Sequence, residues 1–68
     1  MKFTIYRDEK TELWIRYKYR VEADSVKEAI KVIKKDPTDY INFEEMYERG
    51  DVSDIEYLDE NYNIIHES

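Results

Sequence analysis

Sixty-eight residues with a formal net charge of −6 make one small acidic domain, 1–68. A chain of this length buries only about 60% of the surface its unfolded form exposes. There is no cysteine, so neither a disulfide nor a thiolate metal site reinforces the core. The lone His66 and lone Gly50 exclude histidine-pair metal motifs, a His-Asp-Ser triad and glycine-rich phosphate loops.

Phe3 and Ile5 alternate with Thr4 and Tyr6, the pattern of a half-buried strand. Leu13, Ile15, Tyr17, Tyr19, Val21 and Ala23 then alternate with Trp14, Arg16, Lys18, Arg20 and Glu22, a second and longer strand. Placing both apolar sets on one face suggests Ile5 opposite Ile15, with Glu9-Lys10-Thr11 as the connection. That register sets Lys2 against Lys18, a like-charge pair.

Ser25-Val26-Lys27-Glu28 is a capping box, and Val26, Ala29, Ile30 and Ile33 follow at helical spacing. Lys34 and Lys35 suit the negative end of the helix, and Asp36-Pro37 ends it. Asn42-Phe43-Glu44-Glu45 reads as a second cap. Phe43, Met46 and Tyr47 form a short stripe, and Gly50 is the stop. Ile55–Leu58 and Asn63–His66 read as a closing hairpin, with Tyr57 opposite Ile64 and Ile55 opposite His66.

The predicted fold is α+β: a two-layer antiparallel sheet with element order β-β-α-α-β-β, strand order 2-1-3-4 and both helices on one face. In that order the second strand is an edge, which favours a symmetric homodimer burying Trp14.

No apolar run approaches the roughly 18 residues of a membrane span. Met1–Arg7 is too short and too charged for a signal peptide. The expectation is a cytoplasmic protein that makes no membrane contact. No cofactor and no catalytic set is expected. With seventeen acids, paired carboxylates arise by chance, and a filled core this small leaves little room for a pocket.

Two surfaces stand out. The first is Tyr6, Trp14, Arg16, Lys18 and Arg20, a basic row interleaved with aromatics. Tryptophan, tyrosine and arginine dominate protein interfaces. The same types form single-stranded nucleic-acid platforms, although the net charge of −6 opposes phosphate. The second surface is acidic. Residues 36–68 carry a balance of −10 against +4 for residues 1–35. Glu44, Glu45, Glu48, Asp51, Asp54 and Glu56 lie in this half. Carboxylates on a rigid scaffold can stand in for phosphates and occupy a basic channel on a nucleic-acid-binding protein. The plainer alternatives are that the two halves neutralise each other, or that the acids serve solubility alone.

The run Val21-Glu22-Ala23-Asp24-Ser25-Val26-Lys27-Glu28-Ala29-Ile30 follows a hairpin. It precedes an acidic stretch ending in Ile55-Glu56-Tyr57-Leu58-Asp59-Glu60-Asn61. In this the chain resembles the small DpnD/PcfM-like proteins of phages and mobile elements. It departs from them in its basic second strand and in Tyr62, where such a turn often has glycine. The resemblance implies no catalytic residues. It implies an accessory protein, a class that includes inhibitors of host defence acting in the host cytoplasm. The leading reading is thus a non-enzymatic, anti-defence protein-binding module that masks a basic site on a host protein. Single-stranded nucleic-acid binding by the Trp14 row, or a self-associating structural role, is the alternative.

Overall fold

The computed structural model describes residues 1–11, 13–46 and 55–65. The elements run β1 (Lys2–Lys10), β2 (Trp14–Glu22), α1 (Val26–Lys35), β3 (Asn42–Met46) and β4 (Ile55–Leu58). The strands form one antiparallel sheet in the order β3-β2-β1-β4. Alternating residues of β1 and β2 bury one face of the sheet under α1. Ile5, Tyr19, Val21 and Tyr57 from the sheet meet Ala29, Ile30 and Ile33 from the helix in one core.

The helix begins where its cap places it. The Ser25 hydroxyl accepts from the Glu28 amide at 3.2 Å, and Lys34 and Lys35 occupy the last turn. Ten residues make a marginal helix in isolation. Its buried Ala29, Ile30 and Ile33 stripe therefore supplies most of its stability. Asp36 then closes the exit, its Oδ1 accepting from the Thr38 amide and hydroxyl.

The expected β-β-α-α-β-β order is overturned. There is one short helix, and Asn42–Met46 is a strand. Asn42 Oδ1 accepts from the Phe43 amide at 2.9 Å and not from a third-position amide as a helix cap would. A two-turn helix here would gain little alone. As a strand the segment satisfies the outer edge of β2 and sets Glu44 opposite Arg16 and Met46 opposite Trp14. Tyr47 and Gly50, read as parts of the second helix, lie outside the described residues.

The expected neighbours of the first strand are found, since β1 lies between β2 and Ile55–Leu58, but the edge position expected for the second strand in the order 2-1-3-4 fails: β3 adds outside β2 and makes it an inner strand over Trp14–Lys18. The expected strand at Asn63–His66 reduces to a single bridge, Leu58 to Ile64. That register differs by one residue from the expected Tyr57–Ile64 pairing. The change carries Ile65 to the core side, where its amide donates to the Tyr57 carbonyl at 2.8 Å. His66 lies outside the described residues.

The first hairpin also differs in register. Ile5 faces Tyr19, and Lys10 faces Trp14. A shift by an even number of residues leaves every side chain on its expected face. The observed register brings Lys2 opposite Glu22 and Asp8 opposite Arg16. The expected like-charge pair of Lys2 and Lys18 is thereby replaced by two opposite-charge pairs. Leu13 falls in the turn and is exposed, its carbonyl accepting from the Thr11 amide and hydroxyl.

Candidate acidic docking edge and the neutralised basic row

The face of the sheet opposite α1 carries the basic row. Register places a band of charges across it: Glu44 on β3, Arg16 on β2, Asp8 on β1 and Glu56 on β4. Arg16 donates to both oxygens of Asp8, Nε to Oδ1 at 2.7 Å and an Nη to Oδ2 at 2.9 Å. Asp8 is 0% exposed and Glu56 6%. The hydrogen bond to Asp8 raises the Arg16 pKa above its ordinary value, against the opposing pull of burial. The Arg16 guanidinium also lies over two tyrosine rings, 4.9 Å from Tyr62 and 5.8 Å from Tyr6. Tyr6 and Tyr62 stack at 4.8 Å, and a hydrogen bond to Tyr62 raises the Tyr6 pKa. Tyr62 reaches this position with a backbone φ of 65°, a left-handed conformation that costs a non-glycine residue free energy.

Trp14 is 3% exposed, which takes it out of the contact surface expected of it. Its register partners on the neighbouring strands are Lys10 and Met46, and no neighbouring molecule is needed to cover it. The strand-2 dimer loses both of its grounds, since β2 is flanked by β3 beside Trp14 and the ring is already buried. Lys18 is half-buried, Arg20 is exposed, and neither makes an ion pair among the described residues. Tyr6, Arg16, Lys18 and Asn42 line a shallow concavity of about 170 Å³ beside Glu44.

On the helix side a second arginine is buried. Arg7 Nε donates to the Tyr19 hydroxyl at 3.0 Å, and that hydroxyl donates to the Pro37 carbonyl at 2.6 Å. Burial pushes the Tyr19 phenol above its ordinary pKa, outweighing the pull of Arg7. The hydroxyl therefore keeps the proton that Pro37 receives. This relay ties the sheet to the turn after α1. Sequence periodicity assigns Arg7 to the inner face but gives no sign of its two partners.

The acidic residues are distributed differently. β3 is an edge strand, and Asn42 through Glu45 are all exposed. Glu44 points to the basic-row face and Glu45 to the helix face. Neither makes an ion pair among the described residues. Phe43 is 54% exposed beside the rings of Tyr40 and Tyr17, forming an aromatic ledge next to the carboxylates. Glu56, by contrast, is buried within the sheet. Glu48, Asp51 and Asp54 lie outside the described residues. Among the described residues no group of three or more potential ligands could hold a metal ion, and no helix is long and apolar enough to cross a membrane.

The comparisons with known proteins identify no relative: no family model matches the chain, and neither a curated protein nor a solved structure matches it.

Proposed function

We propose that the chain is a non-enzymatic protein-binding module whose acidic side docks on a basic site of another protein. The observation that carries this reading is the exposure of Glu44 and Glu45, one on each face of the edge strand β3, with Phe43 exposed between Asn42 and Glu44. Among the described residues neither carboxylate makes an ion pair, whereas Asp8, Glu9, Glu22 and Glu28 each meet a cation within residues 1–35. A surface of exposed carboxylates beside an aromatic ledge suits a basic partner, because charge steers the encounter and the rings supply buried area. The resemblance to phage and mobile-element accessory proteins adds a setting, in which the partner is a nucleic-acid-handling host protein and the bound chain inhibits a defence.

The test is affinity capture from a bacterial lysate with wild type and the Glu44→Lys/Glu45→Lys variant. Wild type is expected to retain a basic protein that is released by about 0.5 M salt, where the screening length falls below about 5 Å. The variant is expected to lose it. Equal retention by both chains would overturn the reading. Direct polyanion binding is the second reading, favoured by Lys18 lining the concavity beside the Tyr6–Tyr62 stack, with the exposed Arg20 two residues along the same strand face. It requires that oligothymidine shift the amides of Lys18 and Arg20 at low salt, and that Lys18→Glu abolish the shift.

A further inference from the structure

The edge of the sheet on the β3 side is filled over only part of its length. β3 covers β2 from Trp14 to Lys18 and no further. Beyond Lys18 the lane beside β2 holds no strand among the described residues, although β2 continues to Glu22. The direction of the backbone groups follows from two hydrogen bonds. The Ala23 amide donates across to the Met1 carbonyl, so odd-numbered residues of this stretch face β1. The Lys18 carbonyl accepts from the Ile41 amide on the other side, so even-numbered residues face the lane. Arg20 and Glu22 therefore present their backbone N–H and C=O groups into the lane. No backbone partner serves them among the described residues.

Side chains make the lane a groove. On the helix face Val21, Val32 and Ile33 line a concavity of about 180 Å³, rimmed by Glu22, Asp36 and Asp39. Val32 is 49% exposed, an apolar side chain at the mouth of an apolar-floored groove. The β3 edge lacks this arrangement. Its first outward amide, that of Phe43, is already taken by the Asn42 side chain.

We infer that the open half of β2 accepts an extended segment of a partner protein as an added strand in line with β3. Backbone pairing to Arg20 and Glu22 supplies the affinity, and the alternate side chains supply selection. The residue opposite Val21 points into the groove and is a small apolar one, valine or isoleucine. The residue two positions along on the same face is lysine or arginine, because Asp36 and Asp39 form the rim there. The site is separate from Glu44 and Glu45 and does not rest on the reading given above.

The experiment is a titration of ¹⁵N-labelled protein with the blocked peptide Ac-Thr-Val-Thr-Lys-NH₂, which ends short of the Lys18–Asn42 pair. The expected result is saturable shifts centred on the Arg20 and Glu22 amides, with slowed hydrogen exchange at both. Replacing the peptide lysine by glutamate should weaken binding about fivefold at low salt. Methylating the peptide backbone nitrogens should abolish it. Val32→Lys, at an exposed helix position, should block binding without changing the circular dichroism, whereas Glu44→Lys/Glu45→Lys should leave it unchanged. Absence of shifts at Arg20 and Glu22 up to millimolar peptide overturns the inference, as does equal binding of the methylated peptide. Shifts of the same two amides on simple concentration of the protein also overturn it, since a second copy would then fill the lane.

Discussion

Replacing Arg16 by methionine isolates what holds the basic-row face together. The substitution keeps most of the side-chain length and removes both hydrogen bonds to Asp8, whose carboxylate is 0% exposed. Removing one partner of a buried pair costs about 3–5 kcal/mol, because the remaining charge keeps its desolvation penalty. The Arg16 side chain retains 16% exposure, which places the expected loss near the lower bound, about 3 kcal/mol. A domain of this size has a total stability of roughly 3–10 kcal/mol, so the variant approaches or crosses its unfolding threshold at 25 °C. Urea denaturation followed by far-ultraviolet circular dichroism and Trp14 emission measures the loss. With a slope of about 1 kcal/mol per molar, the midpoint should fall by about 3 M. The double variant Asp8→Leu/Arg16→Met removes both charges and should return to within about 1 kcal/mol of wild type. A single-variant loss below about 1 kcal/mol would show that the pair behaves as an exposed surface bridge. A double variant no better than the single one would refute the argument from desolvation.

Tyr19→Phe removes a hydroxyl that accepts from Arg7 and donates to Pro37, and should cost about 1–3 kcal/mol in thermal or urea unfolding. No measurable change would dissolve the relay. Ser25→Ala removes the acceptor for the Glu28 amide and should cost about 1 kcal/mol, while Ser25→Gly costs only a few tenths. Asp59 Oδ1 accepts from the Asn63 and Asn61 amides, and the bond to Asn63 is the main cause of a pKa below the ordinary carboxylate value. Because the folded value is the lower one, this turn is stabilised above the ordinary carboxylate range and loses that support as pH falls through the lowered value. The Asn63 amide shift should therefore titrate at lower pH than an ordinary aspartate, and titration at or above the ordinary value would contradict the geometry.

What the sequence disclosed follows from how local each feature is. The Ser25 cap and the Ala29, Ile30 and Ile33 stripe depend on residues within two turns, and the helix stands where they place it. The faces of β1 and β2 depend only on alternation, so they survive a wrong hairpin register. The register itself is set by partners a strand away, through Lys2 with Glu22 and Asp8 with Arg16. Asn42-Phe43-Glu44-Glu45 is misread as a helix cap for the same reason. Its local chemistry suits a helix start, while the vacancy along Trp14–Lys18 of β2 decides in favour of a strand. Trp14 sits on the face expected to be solvated, yet the turn-side position opposite Lys10 and Met46 buries it. Of the acidic candidates, Glu44 and Glu45 stay exposed on opposite faces of an edge strand, whereas Glu56 lies on β4 opposite Asp8 of β1 and is buried in the sheet.

A protein partner that lands on the acidic edge must leave its footprint there. Hydrogen exchange of the chain alone and in complex with the protein it captures tests it most directly. The expected result is new protection along Asn42–Met46, association that slows steeply with salt, and Trp14 emission unchanged by binding because its ring is already buried. Protection confined to Lys2, Thr4, Lys18 and Arg20, with Asn42–Met46 exchanging as freely as before, would contradict it.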